Sequence, residues 1–228
     1  SDPNTYLDSN LVGFFNLIEL VRKFNTNKFI FASTSSVYGH QNVDKFKENL
    51  NTDKPIQFYA ATKKSNEVMS YSYSYIYKMK ITVLRFFTVY GPYGRPDMSL
   101  YKFVKNIDEN KHIDLYNYGN HERDFTYVKD VVLVLKKIMN KPSNSKVPFQ
   151  IFNVSSNSPV KLSLFIKNIE EILNKKAKFK KLKLQTGDIK KTHGDNSLLI
   201  KKIGKIKFTT LKDGIKEFVL WYKKYNKK

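Results

Sequence analysis

The sequence contains no cysteine, which excludes disulfide frameworks and thiolate metal sites. Its four histidines are scattered and show no spacing typical of metal ligands. No apolar run approaches the roughly 18 residues that a membrane span needs. The N-terminal residues Ser1-Asp-Pro have neither a basic start nor a hydrophobic stretch. These absences predict a soluble protein suited to a reducing cytoplasm, with no metal and no membrane partner.

Acidic residues are few, because 41 Lys and Arg stand against 20 Asp and Glu and give a formal charge of +21. Such an excess raises the question of nucleic-acid binding, since clustered cations bind phosphates. Almost all of the excess is lysine, however. Arginine, which makes bidentate contacts to phosphate, occurs only at positions 22, 85, 95 and 123. Lysines spread over solvated faces favour no nucleic-acid partner, and we expect none.

Helix-like and strand-like patterns alternate along the first part of the chain. Apolar residues recur at helical spacing from Asn10 to Arg22, and the run from Lys28 to Ser33 is typical of a buried strand. The pattern repeats with a helix from Phe58 to about Lys78 and a buried strand from Ile81 to Phe87. This alternation predicts an α/β fold with a parallel sheet. Further helices are predicted at 99–110, 127–139, 162–175 and 211–225, and further strands at 113–118 and 149–154.

Tyr59 and Lys63 lie four residues apart in the predicted second helix and therefore on one of its faces. A nearby ammonium lowers the pKa of a phenol from about 10, so that tyrosine can serve as a base near neutral pH. The hydroxyl cluster Thr34-Ser35-Ser36 follows the first predicted strand. Because the carboxyl ends of parallel strands carry the reactive groups of such sheets, we expect these side chains to converge there with Thr88–Tyr90.

Four segments occur together and in order: Ser33-Thr-Ser-Ser-Val-Tyr38-Gly, Tyr59-Ala-Ala-Thr-Lys63, Arg85-Phe-Phe-Thr-Val-Tyr-Gly-Pro-Tyr-Gly-Arg95-Pro-Asp, and Tyr116-Asn-Tyr-Gly running into Arg123-Asp-Phe-Thr-Tyr. This combination resembles the extended short-chain dehydrogenase/reductase family of NAD-dependent epimerases and dehydratases, and within it the UDP-glucuronate 4-epimerases. The resemblance implies a Rossmann-like parallel sheet, with its first strands missing, and a smaller C-terminal substrate-binding lobe. Residues 1–92 would belong to the NAD-binding domain and 93–228 mainly to the sugar-nucleotide lobe, with about 124–155 returning to the first domain.

The same resemblance implies a reaction. UDP-glucuronate and UDP-galacturonate would be interconverted through a 4-keto intermediate, with transient hydride transfer to tightly bound NAD. Tyr59 would be the base, Lys63 would lower its pKa and hold the nicotinamide ribose, and Thr34 would share the substrate oxygen. Ser35 and Ser36 are the fallback for Thr34, although a cluster of hydroxyls can equally satisfy the turn at a strand end.

The resemblance also assigns residues to the remainder of the substrate. Thr88 and Arg95 match positions that hold the C6 carboxylate, which suits the fork of an arginine. Arg123 is the candidate for the diphosphate, supported by Lys102, and Tyr116 is placed beside the uracil. Two alternatives stay open at this stage: Lys102 is one lysine among many, and Tyr116 can be a core residue on a strand.

Two features separate this chain from other members of the family. Sugar-nucleotide dehydratases carry an Asp-Glu pair where this chain has Ser35 and Ser36, and UDP-galactose epimerases carry Asn at the position of Thr88. The first difference disfavours dehydration, and the second favours a uronate over a neutral hexose as the substrate. A decarboxylase, another nucleotide-sugar epimerase and a non-catalytic sugar-nucleotide-binding fragment are the alternatives. A homodimer is left open, since relatives commonly pair helices beside the Tyr-x-x-x-Lys helix.

The glycine-rich turn with which the family begins is not found in the sequence. In the family this turn receives the dinucleotide pyrophosphate at a helix N-terminus. We therefore expect an N-terminally truncated chain whose full-length parent is the enzyme. We also expect these 228 residues by themselves neither to hold NAD nor to turn over substrate.

Overall fold

A computed structural model describes residues 2–26 and 28–226 of the chain. The chain divides into two compact units. Unit 1 contains the chain up to Phe87 together with Val134–Val154 and Gly194–Lys205. Unit 2 contains Thr88–Leu133, Ser155–His193 and the chain from Ile206 onward.

The helices and strands alternate through most of the described residues. The helices are α1 (Pro3–Tyr6), α2 (Gly13–Lys23), α3 (Phe58–Tyr77), α4 (Ser99–Asp108), α5 (Val128–Ile138), α6 (Leu162–Leu173), α7 (Ser197–Ile203) and α8 (Leu211–Tyr225). The strands are β1 (Phe29–Thr34), β2 (Ile81–Phe86), β3 (Thr88–Tyr90), β4 (His112–Leu115), β5 (Glu122–Tyr127), β6 (Phe149–Val154), β7 (Pro159–Lys161) and β8 (Lys178–Lys181). A π-helical segment (Leu7–Val12) joins α1 to α2, and 3-10 turns cover Ser35–Tyr38 and Tyr116–Gly119.

Unit 1 is built on a three-stranded parallel sheet in the order β1-β2-β6, which confirms the predicted α/β class. Helix α2 places Phe14 and Ile18 against Ile81 and Val83 of β2, and all four side chains are buried. Burial of this apolar face is what holds the helix on the sheet, since each fully buried side chain of this size contributes about 1.5–3 kcal/mol.

Unit 2 has a larger apolar core formed by helices α4, α6 and α8 with strands β3, β4 and β5. Within it, Phe125 of β5 stacks on Phe165 of α6 with ring centroids 4.4 Å apart. Strand β5 pairs in parallel with β3 and antiparallel with β7, and β4 pairs in parallel with β8. Thr210 caps helix α8, because its Oγ1 accepts a hydrogen bond from the backbone N–H of Asp213 at 3.2 Å.

Long elements lie close to their predicted positions. Strand β6 and helix α8 have the predicted bounds, and α3 begins at the predicted Phe58. The strand predicted over 113–118 is wrong at its end, because β4 stops at Leu115 and Tyr116 opens a 3-10 turn with left-handed Asn117 and Tyr118. Elements β3, β5, β7, β8 and α7 were not predicted. In the described part of the chain, none of the helices has the length and apolar character needed to cross a bilayer.

Candidate active site

Helix α3 presents Tyr59, Lys63 and Glu67 at intervals of four residues, and the last two contact the end of strand β1. Lys63 Nζ donates a hydrogen bond to the carbonyl oxygen of Ala32 at 3.0 Å. Ser33 Oγ donates to Glu67 Oε1 at 2.6 Å. Burial lowers the pKa of Lys63. Two hydrogen bonds therefore join the predicted tyrosine–lysine helix, α3, to strand β1, which the hydroxyl cluster follows.

Tyr59 is half-buried, and its ring centroid lies 5.7 Å from that of Tyr6. Thr62 Oγ1 donates to the Tyr59 carbonyl at 2.8 Å and accepts from Asn10 Nδ2 at 3.0 Å. Asn10 lies in the π-helical segment, a feature that is frequent at functional sites. The sequence analysis did not predict the contact between Asn10 and Thr62, because the spacing of apolar residues does not reveal a π-helical turn.

The hydroxyl cluster forms a capped turn. Thr34 is 8% exposed, and its Oγ1 accepts from the backbone N–H of Ser36 at 3.1 Å. It also donates to Ser36 Oγ at 3.2 Å. The turn-capping interpretation thus holds for Thr34, while its role toward a substrate stays a prediction, as do those of Ser35 and Ser36. The turn ends at Gly39, where φ is +60° and an added Cβ would lie 2.4 Å from the Lys54 carbonyl oxygen, so only glycine fits there.

A buried network of polar side chains contacts the end of strand β1 through Ser33. Ser33, Arg85 and Asn153 occupy one row across β1, β2 and β6, and all three are buried. Arg85 binds Glu67 bidentately, with Nε–Oε1 and NH2–Oε2 distances of 2.9 and 2.7 Å. Its NH1 donates to Tyr38 Oη at 3.0 Å, and Tyr38 Oη in turn donates to Asn153 Oδ1 at 2.7 Å.

The electrostatics of the network follow from burial. Burial by itself lowers the pKa of Arg85, but Glu67 and Tyr38 outweigh it and raise that pKa. Burial raises the pKa of Tyr38 to about 12. Burial also raises the pKa of Glu48, whose Oε1 accepts from the backbone N–H of Asn153 at 2.8 Å. Sequence reasoning missed Glu67, although its position four residues after Lys63 was the available signal.

The candidate carboxylate ligand Arg95 lies in unit 2, in the loop before α4. Its side chain is 74% exposed and forms an ion pair with Asp97. Thr88, the other candidate, begins β3 opposite Phe125 and is half-buried. Because Thr88 belongs to unit 2, its predicted convergence with the hydroxyls of unit 1 stays a prediction. Lys102 is exposed on α4, and Tyr116 is half-buried in its 3-10 turn rather than on a strand.

The candidate diphosphate ligand Arg123 is held by the segment that follows β8. Its NH2 donates to Asp188 Oδ1 at 2.8 Å, and its NH1 donates to the Lys190 carbonyl at 3.0 Å. His121 Nε2 lies 3.0 Å from Asp188 Oδ2, at ion-pair distance but without hydrogen-bond geometry. Burial and the charge of Arg123 lower the pKa of His121. Burial also lowers the pKa of Arg123. Asp188 had no sequence signal, because only folding brings it to Arg123 and to His121, which stands two residues before Arg123 in the chain.

Among residues 2–26 and 28–226, no three His, Asp or Glu side chains are grouped so as to hold a metal ion.

A family model and individual proteins of known sequence place the chain in the same family. Residues 1–155 match the model of the NAD dependent epimerase/dehydratase family. Protein CapI of Staphylococcus aureus is 44% identical over 241 residues, an alignment that covers 100% of this chain and 72% of the S. aureus protein. A probable UDP-glucuronate 4-epimerase of Rhizobium meliloti (strain 1021) is 37% identical, with 97% of this chain and 69% of that protein covered.

A solved structure is similar over nearly the whole chain. It is the UDP-glucuronic acid 4-epimerase from Bacillus cereus in complex with UDP-glucuronic acid and NAD, with a TM-score of 0.90 and 29% identity. The match covers 96% of this chain and 69% of that protein. The chain thus spans about 70% of the length of these relatives.

Proposed function

Because the chain belongs to the NAD-dependent epimerase/dehydratase family, we propose that it acts as a nucleotide-sugar 4-epimerase that interconverts UDP-glucuronate and UDP-galacturonate. The observation that carries the proposal is the attachment of the Tyr59–Lys63 helix to strand β1 through the Lys63–Ala32 hydrogen bond of 3.0 Å. The names of the R. meliloti and B. cereus relatives support the choice of substrate.

The residues of unit 1 suit the family's cofactor. The Lys63 ammonium has three donors, of which one is given to the Ala32 carbonyl, so others are suited to the hydroxyls of a ribose. NAD, when bound, supplies the acceptor and donor for the hydrogen on C4 of the sugar. Tyr59 takes the proton of the sugar 4-hydroxyl and later returns it, and Thr34 holds the same oxygen. Ser35 and Ser36 provide further hydroxyls, and the absence of a carboxylate from Thr34–Ser36 disfavours dehydration.

A uronate substrate also requires that its C6 carboxylate be bound. Oxidation at C4 leaves a ketone β to the C6 carboxylate, an arrangement that loses CO2 readily unless the carboxylate is held. Thr88 and Arg95 are proposed to hold it, the arginine through its bidentate fork. At the other end of the substrate, Arg123 and Lys102 are proposed for the diphosphate and Tyr116 for the uracil.

The direct test is an assay of the protein as its gene encodes it, supplied with UDP-glucuronate and NAD. We expect a mixture of UDP-glucuronate and UDP-galacturonate with no net reduction of NAD, since the reaction consumes no cofactor. Release of CO2 with a pentose product would instead indicate a decarboxylase. Binding without turnover would indicate a sugar-nucleotide-binding protein. The same assay on residues 1–228 alone tests the expectation that these residues by themselves do not turn over substrate.

Arg95→Ala should weaken binding of UDP-glucuronate by about tenfold or more, because hydrogen bonds to a charged group are lost. Binding of UDP-glucose, which has no carboxylate, should change little. Isothermal titration of both ligands measures the difference. Lys105→Ala, which removes an exposed cation from α4, is the control for net charge. Equal losses for the two ligands would refute the carboxylate role of Arg95.

A further inference from the structure

The fork of Arg95 already holds a carboxylate in this structure, and that carboxylate is Asp97. Arg95 Nε donates to Asp97 Oδ1 at 3.0 Å, and NH2 contacts Oδ2. The two parallel contacts form the bidentate geometry in which arginine binds carboxylates. A hydrogen bond of 3.1 Å from the Met98 N–H to the Arg95 carbonyl closes the loop that brings the two side chains together.

We propose that Asp97 is a specificity-determining residue that occupies Arg95 in the free protein and competes there with the carboxylate of a uronate substrate. The proposal rests on the proposed function, because it takes Arg95 to be the ligand of the substrate carboxylate. Asp97 presents to Nε and NH2 of Arg95 the same charged group that a uronate carries.

Competition follows from the chemistry of the guanidinium. The edge formed by Nε and NH2 accommodates one bidentate carboxylate at a time. A uronate therefore gains this contact only by displacing Asp97, whereas the neutral hydroxymethyl group of a hexose makes no such demand. Asp97 thus lowers the affinity for the uronate and leaves the affinity for the neutral sugar unchanged.

Displacing Asp97 from Arg95 should cost little free energy. Arg95 and Asp97 are 74% and 57% exposed, and exposed ion pairs are weak. The displaced carboxylate would remain solvated, because the Asp97 side chain is more than half exposed. The hydrogen bond from Arg95 and, more weakly, the charge of Lys102 lower the pKa of Asp97.

Asp97→Asn tests the proposal, because it keeps the shape of the side chain and removes its charge. In isothermal titration of the protein as its gene encodes it, the variant should bind UDP-glucuronate about two- to five-fold more tightly. Its affinity for UDP-glucose should stay within error of the parent. Asp114→Asn, which removes one exposed acidic charge from β4 in the same unit, is the matched control and should change neither affinity.

Several outcomes would overturn the proposal. Weaker binding of UDP-glucuronate by Asp97→Asn would mean that Asp97 positions Arg95. An unchanged affinity, or an equal gain with Asp114→Asn, would mean that Asp97 does not compete. In an Arg95→Ala background the gain should disappear. A selective loss with Arg95→Ala but no gain with Asp97→Asn would leave the proposed function standing and refute only this inference, whereas a non-selective loss with Arg95→Ala would refute both.

Discussion

Replacing Tyr59 by Phe should lower turnover of UDP-glucuronate by at least about 100-fold, because a general base contributes on the order of 10²–10⁴-fold to the rate. Binding of the sugar nucleotide should change little. Phenylalanine keeps the ring that contacts Tyr6, and the hydrogen bond from Thr62 is made to the backbone carbonyl of residue 59. The variant should therefore fold and bind like the parent while failing to move the proton. Initial rates of the protein as its gene encodes it, with titration of UDP-glucuronate, measure the two effects separately.

The control for this substitution lies on the same helix. Tyr71 is half-exposed and its ring contacts Phe149 edge-on, with centroids 5.4 Å apart. Tyr71→Phe removes an equivalent hydroxyl and should leave turnover unchanged. Turnover by Tyr59→Phe at the rate of the parent would contradict the assignment of Tyr59 as the base.

Glu67→Gln should lower the free energy of unfolding by about 3–5 kcal/mol, because it leaves the buried charge of Arg85 without a counter-charge. The two side chains are 2% and 3% exposed, so water cannot replace the lost carboxylate. Arg85→Met should cost a similar amount by stranding the carboxylate of Glu67. Urea unfolding followed by circular dichroism measures both costs.

A double-mutant cycle shows whether the cost belongs to the pair. Glu67→Leu combined with Arg85→Met removes both charges, so it should cost at least about 1 kcal/mol less than the sum of Glu67→Leu and Arg85→Met measured singly. It should not restore full stability, because Ser33 and Tyr38 also lose partners. Glu171→Gln, which breaks the exposed pair with Lys212, should leave the unfolding midpoint nearly unchanged. Additive costs in the cycle would show that the two residues act independently.

The network has a consequence for the site as well as for stability. Glu67 binds Ser33, the residue directly before Thr34, while Lys63 one turn earlier on α3 binds the Ala32 carbonyl. The position of the hydroxyl cluster relative to the tyrosine–lysine face is thus fixed by two contacts from one helix. A loss of Glu67 is expected to loosen this arrangement in addition to destabilising unit 1.

Local pattern was sufficient for the elements that bury one continuous face. Helix α8 and strand β6 have the bounds predicted from apolar spacing, because that spacing itself records which side of each element is removed from water. The tyrosine–lysine pair was also readable, since residues four apart share a helix face whatever the helix packs on. Strands as short as β3 and β7 were not readable, because three residues form a strand only when another strand is placed beside them.

The sequence by itself determined the α/β class, the tyrosine–lysine helix and the family motifs, because these depend on residues near one another in the chain. Only the tertiary structure decided which charges meet. Arg85 was visible as a motif arginine, but its partner Glu67 lies on another element, and Arg123 finds Asp188 sixty-five residues later. The exposed partner of Arg95 is two residues away, yet it is the fold of the loop that turns Asp97 onto the guanidinium. Electrostatic partners are set by distance in space, and sequence spacing gives that distance only within one helix or strand.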